Sequence, residues 1–163
     1  MVKFFVGIAI VAFTSFCGHL LAKKYRQRKQ FFKQIWEFNE RFLSEISYAR
    51  RPLKEFIKAY TYEGEFEDAL NEFYAYLKEN PITPSFLEGE KFAFLKKEEL
   101  QLLGNYFFML GKGDSASQKG YFSSIKDTLK KLQSEAEIDT KRYGDLYVKI
   151  GFLCGLFALI LIV

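Results

Sequence analysis

Apolar residues run uninterrupted near both ends of the chain, whereas in the middle they recur every three or four positions. From Phe4 to Ala22 there are 19 residues without Lys, Arg, Asp or Glu. At 1.5 Å per residue this run reaches about 28 Å, close to the roughly 30 Å hydrocarbon core of a bilayer, and it predicts a transmembrane helix over 4–22. A cleaved leader is the rival reading. No small-x-small site precedes Lys23, and the bulky Phe16 stands before Cys17 where a lipoprotein site needs a small residue, so retention is expected. At the far end Ile150 to Val163 gives 14 uncharged residues, short for a span. Lys149 can snorkel and Tyr143 and Tyr147 suit an interface, so a second transmembrane helix is expected over 146–163.

Between the ends, over 23–145, the spacing predicts helices. Phe31, Ile35, Phe38, Phe42, Ile46 and Ala49 step by three or four up to Pro52, and the first span is expected to continue into this helix. Pro52 suits a first helical turn, with Leu53, Phe56, Ile57 and Tyr60 forming a short helix ended near Gly64. Phe66, Ala69, Leu70, Phe73 and Leu77 mark a third helix closed by Asn80-Pro81, followed by a loop to Gly89. Leu100, Leu103, Phe107 and Leu110 mark a fourth that stops at Gly111. After the turn Gly111-Lys112-Gly113-Asp114, Ser115 and Gln118 have capping-box spacing. Phe122, Ile125, Leu129, Leu132 and Ala136 then form the buried stripe of a helix expected to run unbroken into the second span. No period-2 run of useful length occurs, so the chain is expected to be all-α: a helical bundle flanked by transmembrane helices.

Charge changes this picture by orienting it. The 24 Lys/Arg and 20 Asp/Glu give +4 overall, but Lys23, Lys24, Arg26, Arg28, Lys29 and Lys33 crowd into one acid-free segment, while 34–138 carries 14 bases against 18 acids. Positive residues stay cytoplasmic, so the middle should face the cytoplasm with both termini outside. The same basic segment is expected to contact anionic lipid. A charge excess confined to one short run is a poor footprint for nucleic acid, which is not expected as a partner. Two cysteines make no disulfide framework and no zinc-site spacing occurs.

Catalytic chemistry finds little to work with. The single histidine, His19, lies inside the first span, where it is read as an interfacial residue rather than a general base. Gly111-Lys112-Gly113-Asp114-Ser115 lacks phosphate-loop spacing and no strand precedes it. Glu63, Glu65, Glu67 and Asp68 lack the ligand order of a calcium loop and read as a helix start that favours acids. No cofactor or metal is expected. Cys17 and Cys154 should lie at similar depth if the spans are neighbours, as small packing residues.

The order of features resembles one family, stage III sporulation protein AB of endospore-forming bacteria. Three blocks carry the resemblance: Glu45-Ile46-Ser47-Tyr48-Ala49-Arg50-Arg51-Pro52-Leu53-Lys54-Glu55; Leu95, Glu98, Glu99, Leu100, Leu103-Gly104, Leu110-Gly111, Asp114 and Gln118; and the closing span from Leu146 to Val163. The loop departs from the family pattern at Gly113 and at Ala116-Ser117. The resemblance implies a cytoplasmic domain similar to the F-type platform proteins of type II secretion, and a non-enzymatic membrane component of the channel, or feeding tube, between mother cell and forespore. It implies as partners the companion AA protein, a secretion-type ATPase, and other channel proteins of the same operon, with the chain in the mother-cell membrane around the forespore.

A Pro-bounded corner and a Gly-bounded loop present side chains off a rigid bundle. The expected contact residues are therefore Glu45, Tyr48, Arg50, Arg51 and Lys54 in the first and Lys112, Asp114 and Gln118 in the second. The alternative is a membrane-tethered coiled-coil spacer that forms homo-oligomers through Phe31–Ile46 and Phe122–Ala136.

Overall fold

A computed structural model describes residues 2–49, 51–79, 87 and 90–162. The helices are α1 (Val2–Ser44), α2 (Leu53–Ala59), α3 (Glu65–Glu79), α4 (Lys97–Met109), α5 (Ser115–Asp139) and α6 (Asp145–Ile162). A π-helical turn, Glu45–Ala49, ends α1, and a second, Thr140–Gly144, joins α5 to α6. Among the described residues there is no strand, so the chain is all-α as its spacing predicts. Asn80, Pro81 and the following loop, apart from Leu87, lie outside the described residues. The chain forms two compact units, Gln30–Gln133 and the combination of Met1–Lys29 with Ser134–Val163.

In Gln30–Gln133 the stripe of α1 is buried at Phe31, Ile35, Phe38 and Phe42, and it meets rings from every other helix of the unit. Phe38 lies 5.3 Å from Phe56 and 5.8 Å from Phe66 between ring centroids, and Phe42 lies 4.9 Å from Phe122. Each aromatic side chain buries some 150–250 Å², so a few of them close a core for short helices that are not stable alone. The polar Asn39 is fully buried among them. The Asn39 amide donates to the Phe122 carbonyl at 3.2 Å and accepts from the Tyr106 hydroxyl at 3.3 Å, which satisfies both ends of a side chain that burial otherwise penalises. Burial pushes the Tyr106 hydroxyl well above its usual range, so it stays a donor. Gln34 clamps the turn before α3: its amide nitrogen donates to the Glu63 carbonyl and its oxygen accepts the Glu63 N–H, both at 2.8 Å.

The other unit packs differently. The N-terminal part of α1 runs antiparallel to α6, with Gly7 against Leu159, Gly18 against the Tyr147 carbonyl and Gly151, and Gly155 against Thr14 and Val11. A Cβ on Gly18 would fall 2.6 Å from the Tyr147 oxygen, and one on Gly151 2.7 Å from the Thr14 oxygen, so these backbones touch only because the side chains are absent. Toward the polar end Arg28, only 4% exposed, pairs with Asp139 at 2.8 Å. The Thr140 hydroxyl lies 2.9 Å from the Tyr25 carbonyl, and Tyr25 stacks on Tyr143 and Tyr147. Phe5, Phe13, Phe16, Leu153, Phe157 and Leu161 point outward. Among the described residues two helices are thus long and apolar enough to cross a membrane: α1, and the one formed by α5, its π turn and α6.

Candidate functional site

The two segments expected to make contacts meet at one corner of Gln30–Gln133. The first forms because α1 loosens into the π turn and Pro52 cannot continue it. Pro52 is not inside the first turn of α2, as its type suggested; it precedes the helix with an extended backbone, and its carbonyl accepts from Glu55 (2.9 Å) and Phe56 (3.0 Å). The second forms because Gly111 and Gly113 take φ of +76° and +82°, a region that L side chains rarely adopt. Gly111 lies against Leu53, and a Cβ there would come within 2.8 Å of Leu53 Cδ2. The corner encloses a cleft of about 250 Å³ lined by Glu45, Arg51, Leu53, Gly113, Ser115 and Gln118.

Its electrostatics centre on a buried carboxylate. Glu45 is 7% exposed, and its Oε1 accepts from the Arg51 N–H at 3.2 Å while the Arg51 Nε lies 3.5 Å away. Removing Arg51 alone would strand that charge, so Arg51 has a structural duty besides any contact it makes. Tyr48 is 88% exposed and Lys54 is exposed. Lys112 lies over the Phe108 ring, 3.1 Å from its centroid. Arg50 lies outside the described residues.

The expected cap of α5 is displaced by one residue. Asp114, not Ser115, precedes the helix: its Oδ1 accepts the Ser117 N–H at 2.7 Å, and the Gln118 amide reaches back to the Gly113 carbonyl at 3.5 Å. Asp and Ser cap equally well, and here the aspartate stands just before the helix while Ser115 is its first residue. The Ser117 hydroxyl and amide hold the Asp114 carboxyl below its usual range. Asp114 is therefore first a cap.

The basic segment divides. Lys23, Lys24, Arg26 and Lys33 are exposed and Lys29 is half-buried. Arg28 departs from the lipid-facing expectation, because it turns inward to Asp139. His19 is exposed, with Nε2 3.1 Å from Arg26 Nη1. Cys17 and Cys154 are free thiols. They are not level, because the contact of Gly18 with Tyr147 and Gly151 puts Cys154 about one turn, or ~5–6 Å, further toward the amino end of α1 than Cys17. Glu65, Glu67 and Asp68 occupy the first turn of α3, where the helix dipole favours acids. Among the described residues no three His, Cys, Asp or Glu side chains are grouped to hold a metal ion.

The glycine seam was absent from the sequence expectations although a signal existed. Gly151-x-x-x-Gly155 inside an apolar run is the spacing that lets membrane helices approach closely. Gln34 and Asn39 carry no local signal, because their partners lie 29 and 83 residues away.

Comparison with curated proteins and with solved structures finds no match. The family model for stage III sporulation protein AB matches residues 3–163, nearly the whole chain and all three blocks that carry the resemblance. On that match the chain belongs to the stage III sporulation protein AB family.

Proposed function

We propose that this sporulation protein is a non-enzymatic platform or adaptor of the channel between mother cell and forespore, coupling a cytoplasmic secretion-type ATPase to the membrane complex. In this reading α1 and α6 anchor it in the mother-cell membrane with both termini outside, and Gln30–Gln133 is an F-type domain in the cytoplasm. The partners are the companion AA ATPase and other channel proteins of the operon. The observation that carries the reading is the corner cleft, where two segments some 60 residues apart, 45–54 and 111–118, meet around the buried Glu45 carboxylate paired with Arg51, and where the same segments expose Tyr48, Lys54 and Lys112. The spacer alternative needs the Phe31–Ile46 and Phe122–Ala136 stripes for self-association. Phe42 and Phe122 are instead packed on each other at 4.9 Å within the chain.

The test is crosslinking of tagged protein in its native host during sporulation, with captured proteins identified by mass spectrometry. The ATPase should be captured by the native chain and lost with Tyr48→Ala/Lys54→Glu/Lys112→Glu, which spares the Glu45–Arg51 pair. Undiminished capture by a triple variant with unchanged circular dichroism would sink the contact surface. Recovery of the chain alone would favour the spacer.

A further inference from the structure

Residues 19, 23 and 26 of α1 are spaced four and three apart and share one helix face. His19, Lys23 and Arg26 are all exposed there. Toward the amino-terminal end the same face continues through Phe16, Ile8 and Phe5, which are also exposed. A strip of apolar side chains therefore ends in three nitrogen-bearing ones. Arg26 is held in place: its Nη1 lies 3.1 Å from His19 Nε2, and since a guanidinium can only donate, the imidazole nitrogen accepts. Side chains lean toward the amino end of their helix. That lean carries Lys23 and Arg26 toward the apolar strip, and on antiparallel α6 it carries Lys149, whose backbone lies near the level of Gly18, the opposite way. The charges thus gather where the apolar surface stops.

Few acids oppose them. From Glu137 to Asp145, Glu137 is paired with Lys141 at 3.1 Å and Asp139 with Arg28 at 2.8 Å. Asp145 stands against Lys23, Lys24, Arg26, Arg142 and Lys149. We infer that the His19–Lys23–Arg26 face binds the phosphate of an anionic phospholipid, with the acyl chains along Phe16, Ile8 and Phe5. A guanidinium already steered to the boundary offers its remaining N–H groups to phosphate oxygens, and Lys23 supplies a second charge. The apolar continuation of the face selects a lipid over free phosphate or a nucleic acid. Orientation of the chain needs only charge in any arrangement; a shared face with a tethered arginine is what a headgroup site adds.

This inference rests on the membrane reading, and the experiment separates the two. The full chain is reconstituted into vesicles of phosphatidylcholine, with and without phosphatidylglycerol, and washed with alkaline carbonate. It is then extracted in mild detergent, and the retained lipids are counted by native mass spectrometry. Phosphatidylglycerol should be enriched over phosphatidylcholine. Lys23→Gln/Arg26→Gln should weaken its retention by about fivefold for each base removed. Lys97→Gln/Lys119→Gln, an equal loss of charge at exposed positions of Gln30–Gln133, should leave it unchanged. No enrichment in the native chain, or equal enrichment in the Lys23/Arg26 variant, overturns the headgroup site while the membrane reading stands. Release of the chain by carbonate overturns both.

Discussion

In Gln30–Gln133 the helices are kept apart by rings, with Phe38 facing Phe56 and Phe66 across more than 5 Å between centroids. Where the N-terminal part of α1 meets α6 the side chains are gone and Gly18 and Gly151 bring main chain to main chain. Burying aromatic area is profitable only when the alternative is water, and it holds together a unit whose outer faces carry Lys, Glu and Asp. Between lipid tails that drive vanishes, because the tails are as apolar as the side chains. Association then relies on close contact, which small residues permit. The difference teaches that one chain uses two packing chemistries, each suited to its own solvent, and this supports the membrane reading independently of the length of the apolar runs.

The strongest way to break the comparison is Phe38→Ala. It should remove about 3–5 kcal/mol from the stability of Gln30–Gln133 through lost burial and a cavity, read as a lower urea midpoint by the fluorescence of Trp36. Next comes Gly18→Leu, which has no space against the Tyr147 carbonyl and should weaken the helix pair by about 1–3 kcal/mol. Spin labels on the native Cys17 and Cys154 should move apart, and the urea midpoint of the aromatic unit should hold. A seam that tolerates leucine would mean that close approach is not what joins these helices. Gln34→Ala should cost less, about 1–2 kcal/mol for two hydrogen bonds, with faster amide exchange at Glu63. The smallest effect belongs to Asp114. Its folded carboxyl titrates below the unfolded value of 3.8, so its stabilisation is complete above that value and is lost as the pH falls through the lower folded one. Asp114→Asn, which keeps the cap oxygen, should flatten that acid limb.

Helix positions were legible because burial repeats with the helical period: Phe31, Ile35, Phe38 and Phe42 are all buried, as are Phe122, Ile125 and Leu129. The two contact segments were legible as chain breaks, at Pro52 and at Gly111, but their meeting was not, since nothing local ties Leu53 to Gly111. The cap was legible to within one residue, Asp114 and Ser115 being adjacent and equally suited. Arg28 differs from its basic neighbours in a way composition does not reveal, because composition sees six bases in a run whereas helix geometry turns one of them to Asp139. The glycine seam is invisible to hydropathy and length, which treat Gly151 and Gly155 as weak apolar residues rather than as absent side chains.

The π turn at Thr140–Gly144 acts as a phase shifter. Each residue of an α-helix advances the face by about 100°, so twelve steps from Asp139 to Gly151 would leave them about 120° apart, unable both to look at α1. One residue absorbed in the wider turn brings the offset to about 20°. Asp139 then reaches Arg28 while Gly151 faces Gly18. Residue count over this stretch is therefore a clock setting: straightening the turn at the present length would rotate every glycine of α6 by about 100° off its mark, whereas removing one position along with the bulge would leave the seam in register.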